Sequence, residues 1–253
     1  MGILDGKVAL ITGAGQGVGQ GIAFALAREG AKIAAIGRTE SKLQETCGEI
    51  EGFGGSAMAI VADVQDGAAI TQSIATTVDK FGRLDILVNN AYGIAIGPLL
   101  SLTDADFDRS MNGSALSTFR YMKECYPHLK ASGEGVIINL STSATRRWDA
   151  ANYGFYAASK RAVEALSRAA ASEWGKDNIR VNTIAPHALS PGLKGWIDAN
   201  PAEAKEFFKT IPLGRVGDCE HDIGAVALFL AGPGSKYVSG TVIPVDGGQA
   251  FFG

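Results

Sequence analysis

Cysteine is scarce and badly placed for chemistry: the 253 residues hold three, Cys47, Cys125 and Cys219, far apart and with no C-x-x-C pair. Neither a disulfide framework nor a thiolate zinc site is indicated, and a reducing, cytoplasmic compartment is expected. Histidine is as rare, and His128, His187 and His221 show no ligand spacing, so no metal is expected. Charge is sparse and nearly balanced, with 19% charged residues and a net charge of −3. Lysines and arginines are scattered, not striped, which removes the electrostatic reason to expect nucleic acid or an anionic membrane as a partner. No apolar run is long enough for a signal peptide or an uncharged bilayer span, so a soluble chain is expected. Met1-Gly2 could open a myristoylation signal, but that motif wants Ser or Thr at the sixth position and Gly6 stands there.

What the chain does have is apolar material, 46% of residues, enough for one large core. It comes as short runs alternating with stretches of helical period, the pattern of a parallel sheet covered by helices on both faces. The runs begin at Val8-Ala9-Leu10-Ile11, Ile33-Ala34-Ala35-Ile36 and Ala57-Met58-Ala59-Ile60-Val61. They continue at Ile86-Leu87-Val88, Val136 to Leu140, Ile179 to Thr183 and Thr241 to Val245. Between them, Val163, Leu166, Ala170 and Trp174 fall on one helical face. The expectation is α/β: one doubly wound parallel sheet of about seven strands in a single domain, 1–253. Only His187 to Thr210 looks irregular, because Pro191, Gly192, Gly195 and Pro201 break any long element. That segment is expected to be a substrate-side lid.

Glycine is abundant at 33 residues, and its placement after the first strand carries information. Thr12-Gly13-Ala14-Gly15-Gln16-Gly17-Val18-Gly19 runs straight into a helical pattern. Such a turn lets the backbone approach a pyrophosphate, whose charge the helix N-terminus attracts. At the end of the second strand, an acidic residue would hydrogen-bond a ribose 2′-hydroxyl and repel a 2′-phosphate; here Gly37 is followed by Arg38 and Thr39, a guanidinium and a hydroxyl suited to a phosphate. That reads as a site for a 2′-phosphorylated dinucleotide. Further on, Tyr156 and Lys160 are four apart and share a helical face. An ammonium beside a phenol favours phenolate and is expected to lower its pKa, which suits a general acid/base exchanging a proton with a carbonyl or alcohol oxygen. Tyr153 has Ala157 four residues on and lacks that partner.

The T-G-x-x-x-G-x-G spacing, with Asp63-Val64, Asn89-Asn90-Ala91, Tyr156-Ala157-Ala158-Ser159-Lys160 and Asp246-Gly247-Gly248 following in order, resembles the short-chain dehydrogenase/reductase family over nearly the whole length. The resemblance implies a Rossmann-like fold and a nicotinamide cofactor held by Gly13, Gln16, Gly17, Val18, Gly19, Arg38, Thr39, Asp63, Val64, Asn90, Ala91, Tyr156 and Lys160. Asp63 would lie near the adenine amine, and Lys160 would hold the nicotinamide ribose. It also implies a hydroxyl just after the fifth strand that binds the substrate oxygen. Within Ser141-Thr142-Ser143, counting back from Tyr156 selects Ser143, and counting along the strand from Gly135 selects Thr142. Ser143 is the first choice and Thr142 the second.

Three departures from the family pattern stand out. Ser114 takes the place of an Asn that relays protons, with Asn112 nearby, so a relay through Ser114 and water is the expectation. Tyr92 replaces a Gly. Pro186-His187 replaces Pro-Gly, and Pro191 takes the place of a hydroxyl that meets the carboxamide, leaving Pro186, His187, Leu189 and Ser190 as nicotinamide-side candidates. For the substrate, Tyr92, Ile94, Trp148, Tyr153, Leu193 and Trp196 suggest a pocket for a medium-sized cyclic or aromatic ketone. Arg146 and Arg147 either anchor an anionic group or are solvated. The family implies a homotetramer. Two other readings remain beside NADP(H)-dependent redox catalysis: an inactive NADP(H)-binding regulatory protein of the same fold, and a non-redox enzyme such as a dehalogenase.

Overall fold

In the strands, alternate side chains go to opposite faces, and both faces are apolar. A computed structural model describes residues 2–147 and 151–252. Its strands β1 (Val8–Thr12), β2 (Lys32–Gly37), β3 (Ser56–Val61), β4 (Ile86–Asn89), β5 (Gly135–Leu140), β6 (Ile179–Pro186) and β7 (Val242–Val245) form one sheet in the order β3-β2-β1-β4-β5-β6-β7. Every pairing is parallel, as in Leu10 beside Ala34 and Leu87, and Ile137 beside Val181.

Period two divides the core into two layers. Ala9, Ile11, Ile33, Val88 and Ile138 face one side, against Ile22 and Leu26 of α1 (Gly17–Arg28), Leu43 and Ile50 of α2 (Glu40–Gly52) and Ala227 of a later helix. Val8, Leu10, Ala34, Leu87 and Ile137 face the other, against Ile70 and Ile74 of α3 (Gly67–Phe81) and Tyr121, Cys125 and Leu129 of a helix at 117–131. At about 25 cal/mol per Å² of apolar surface, each fully buried Leu or Ile contributes about 1.5–3 kcal/mol. These two layers hold the strand ends in register.

Chain order reverses between β1 and β4, so a crevice opens above their carboxyl ends, where ligands of such sheets bind. The helices above it are α4 (Asp104–Met111), α5 (Ser117–Ala131) and α6 (Gly154–Trp174). A wide turn at Asn112–Leu116 joins the first two. The lid expected to be irregular is instead two short helices, α7 (Pro191–Ala199) and α8 (Pro201–Phe208), followed later by α9 (Ala225–Ala231). Each lid proline opens its helix, where its missing N–H costs nothing. No helix among the described residues is long and apolar enough to cross a membrane.

Candidate active site

A cleft of about 820 Å³ runs along the carboxyl ends of the strands, from Gly13 and Arg38 at one end to Tyr156 and Pro191 at the other. At the first end, Gly13 and Gly17 take left-handed φ of 68° and 61°. A Cβ on Gly13 would lie 2.6 Å from the Asn90 amide nitrogen, and one on Gly19 would lie 2.4 Å from the Gly13 carbonyl oxygen. Gly19 thus packs behind the turn and is not a lining residue; its smallness brings α1 close to β1. Gln16 makes no side-chain cap on α1, so the leading N–H groups of that helix are free to meet an anion.

Asn90 braces this turn from below. Its side-chain amide donates to the Thr12 carbonyl at 3.0 Å and the Gly13 carbonyl at 3.1 Å. The Thr12 hydroxyl in turn accepts the backbone N–H groups of Asn90 and Ala91, both at 3.0 Å. Beyond the turn lie Arg38, Thr39 and Lys42, with no carboxylate at the β2 end. Thr39 is the uncapped N-cap of α2, and Lys42 donates to the Gln16 side chain at 2.5 Å. Lys42 escaped the sequence reading, although its place one turn after Thr39 was the available signal. Asp63, Val64 and Ala91 line the middle of the cleft. This glycine cradle and its cations suit a nicotinamide dinucleotide.

At the other end, burial governs the electrostatics. Lys160 is 2% exposed and donates to the Leu140 carbonyl at 2.7 Å. Burial pulls its pKa down to about 7. Its ammonium lies 5.9 Å from the Tyr156 ring centre. The phenol was expected to ionise more easily beside this cation; the structure reverses that. Burial first, then the neighbouring Tyr92, raises the Tyr156 pKa above the usual tyrosine range. Desolvation is the larger effect here, and burial pushes Lys160 itself toward its neutral form.

Of the three hydroxyls, Thr142 is the one whose nearness to the phenol opposes the burial effect. Ser143, the first choice by counting, begins a tight turn at Ser143–Thr145 and is buried in the cleft wall. Thr142 is still extended, with φ −159° and ψ 148°, and also accepts the Ala144 N–H.

Other expectations divide. Tyr92 packs on Tyr156 with ring centres 5.6 Å apart, and Tyr153 does so at 6.4 Å. Ile94 and Leu193 line the same end, with Pro186, His187 and Ser190. Ser114 does not line the cleft: it is fully buried, and its hydroxyl donates to the Gly93 carbonyl at 3.2 Å. Gly93 and Gly113 approach so closely that a Cβ on Gly113 would sit 2.6 Å from Gly93, which places Ser114 behind the wall. Leu189 is 49% exposed and turned out of the cleft, while its N–H donates to the Gly217 carbonyl. Trp196 packs on Phe207 at 5.6 Å and does not line the cleft. Phe207 itself does, and Arg147 sits over its ring at 4.9 Å; the sequence reading had missed Phe207. Trp148 lies outside the described residues. His187 rests edge-on against Phe207 at 5.3 Å, with both ring nitrogens buried and unpartnered among the described residues. Burial lowers its pKa, so it is a neutral donor and acceptor. No group of three metal-ligating side chains occurs among the described residues.

Residues 13–250 match the family described as enoyl-(acyl carrier protein) reductase. The chain is 39% identical to a 12α-hydroxysteroid dehydrogenase of Clostridium sp. over 257 aligned residues, covering 98% of each protein. Among solved structures, it resembles one described as a short-chain dehydrogenase/reductase from Burkholderia xenovorans, at 33% identity and TM-score 0.93 over 98% of both chains. It also resembles a 7α-hydroxysteroid dehydrogenase complexed with NADH and 7-oxo glycochenodeoxycholic acid. That match has 35% identity and TM-score 0.92, covering 98% of this chain and 95% of the other.

Proposed function

The chain belongs to the short-chain dehydrogenase/reductase family of oxidoreductases, whose cofactor is a nicotinamide dinucleotide, and from that premise we propose that it reduces a medium-sized cyclic ketone of the oxosteroid kind with NADPH, or oxidises the matching secondary alcohol. The reading rests on one continuous cleft that has cations and no carboxylate at the ribose end and Tyr156 with Thr142 at the other.

Arg38, Thr39 and Lys42 offer two charges and a hydroxyl to a 2′-phosphate, and their side favours NADP(H) over NAD(H). Gly13, Gln16, Gly17 and Val18 take the pyrophosphate, with Asp63, Val64, Asn90 and Ala91 beside the adenosine. Bound there, the dinucleotide supplies or accepts the hydride. Thr142 donates to the substrate oxygen as charge develops on it. Tyr156 gives that oxygen its proton, and Ser143 stands beside the pair. Lys160 has a second acceptor within reach once ribose hydroxyls arrive, and His187 faces the carboxamide or substrate as a neutral donor. Tyr92, Ile94, Tyr153, Leu193 and Phe207 give the apolar walls that a fused-ring ketone needs, in keeping with the hydroxysteroid dehydrogenases named above. Exposed Leu100, Phe107 and Phe119 support a homotetramer, to be checked by light scattering.

The test is NADPH oxidation against 7-oxo and 12-oxo bile acids and simple cyclic ketones, with NADH and Tyr156→Phe alongside. The expected result is turnover with NADPH, a steep fall with NADH and none in the variant. Tight NADPH binding without turnover of any ketone or alcohol would replace this reading with a nucleotide-binding regulator.

A further inference from the structure

One buried carboxylate has no part in the proton chemistry proposed above. Glu164 lies on α6 one turn beyond Lys160, so Tyr156, Lys160 and Glu164 follow one another at the spacing that shares a helical face. Its side chain is 3% exposed. Burying a carboxylate is costly unless it is paired and hydrogen-bonded, and this one has both. Glu164 Oε1 accepts from the Ser141 hydroxyl at 2.5 Å and from the Thr145 hydroxyl at 3.2 Å. Oε2 accepts from Arg161 at 3.2 Å, and the other arm of Arg161 donates to the Thr145 carbonyl at 2.8 Å. Arg146 is a second cation, 4.0 Å away.

The two hydroxyls held by Oε1 flank Thr142 and Ser143 in the chain. Within the turn, the Thr145 N–H donates to the Thr142 carbonyl at 3.2 Å, and the single proton of the Thr145 hydroxyl is shared between that carbonyl, at 2.8 Å, and Glu164 Oε1. The bonds to the carbonyl shape the turn but do not tie it to α6. Its entry is fixed to the sheet, where the Ser141 N–H donates to the Ile184 carbonyl at 2.7 Å. Lys160 ties the strand end just before the turn to α6 through the Leu140 carbonyl; among the described residues, the turn itself is tied to that helix through Glu164 and Arg161. We infer that Glu164 is a positioning residue: by clasping Ser141 and Thr145 it sets the 141–145 turn against α6 and so holds the Thr142 hydroxyl at the Tyr156 end of the cleft. The inference rests on the catalytic reading of Tyr156 and Thr142, since a misplaced hydroxyl matters only if it binds the reacting oxygen.

The carboxylate geometry separates clasp from charge. Glu164→Gln keeps the oxygen that holds both hydroxyls, whereas Glu164→Leu removes it. The double change Ser141→Ala with Thr145→Val removes the donors and leaves the charges. With 7-oxo bile acid and NADPH, the leucine and double variants are expected to lose about 10- to 100-fold in kcat, as displacements of about 1 Å do, with little change in KM or NADPH affinity. The glutamine variant is expected to stay within about twofold of wild type. A second readout needs no substrate: in protein labelled with ¹³Cζ-tyrosine, the Tyr156 resonance, assigned by its loss in Tyr156→Phe, should move in the leucine and double variants and stay in place in the glutamine variant. An unmoved resonance and wild-type kcat in the double variant would overturn the clasp, even where Glu164→Leu does not fold. Equal losses in the glutamine and leucine variants would assign the effect to charge pairing instead. If Tyr156→Phe keeps full activity while the resonance moves as expected, the catalytic reading fails and the clasp survives as structure.

Discussion

The two ends of the cleft solve opposite problems. The end built on β1, β2 and α1 is open and binds charge, with bare backbone N–H groups, glycines that clear the way and exposed cations. The end built on β5 and α6 is closed around its titratable groups, where burial keeps Tyr156 neutral and brings Lys160 down to about 7, and it is the end proposed to handle the proton. In the first, recognition tolerates water and weakens with salt. In the second, desolvation sets the chemistry, so each lost contact there costs more.

That contrast orders the expected effects of mutation. Tyr156→Phe removes the proton donor and is expected to lower kcat by about 10³-fold or more, leaving the NADPH dissociation constant unchanged in a fluorescence titration. Gly19→Ala drives a methyl into the Gly13 carbonyl and is expected to weaken NADPH by roughly 10- to 100-fold, the equivalent of about 1–3 kcal/mol of strain. Lys160→Met should abolish activity but stabilise the ligand-free protein. The folded-state pKa lies below the unfolded value, so the unfolded chain binds more protons between about pH 7 and 10, and wild-type stability rises with pH across that window. The variant is therefore expected to gain about 2–3 kcal/mol at pH 6, after the orphaned Leu140 carbonyl is allowed for, and by pH 10 that gain should turn into a loss of about 2 kcal/mol, where only the orphaned carbonyl still counts. Melting curves at the two pH values check it. Arg38→Ala, at the open end, is expected to reduce the NADPH-over-NADH preference by only about tenfold, and less at high salt. A loss as large as that of Tyr156→Phe would erase the distinction between the two ends.

The open end was also the more legible in sequence. Val8 to Thr12, the glycines after it and Gly37-Arg38-Thr39 answer to backbone geometry and period two, which sequence displays directly. Tyr156 and Lys160 were legible for the same reason, since a spacing of four fixes a shared helical face. The rest of the closed end was not. Whether Thr142 or Ser143 meets the phenol depends on how one tight turn winds, which no count reveals. Pro191 and Pro201 read as breakers when they were starters. Ser114 sat at the right step on a stretch whose wide turn and paired glycines hide it. Glu164 was passed over because a carboxylate on a helix reads as solvated until its partners, Ser141, Thr145 and Arg161, are seen in space.

The central claim is that a burial-held neutral Tyr156 is the proton source, with Lys160 the rival acid close by. Single-turnover oxidation of NADPH by a 7-oxo bile acid, followed from pH 6 to 9, separates them. A rate that stays flat across that range and is absent in Tyr156→Phe is the predicted result, because a phenol with a raised pKa remains protonated throughout. A rate that falls through about pH 7, where Lys160 loses its proton, or one that persists in Tyr156→Phe, would contradict it.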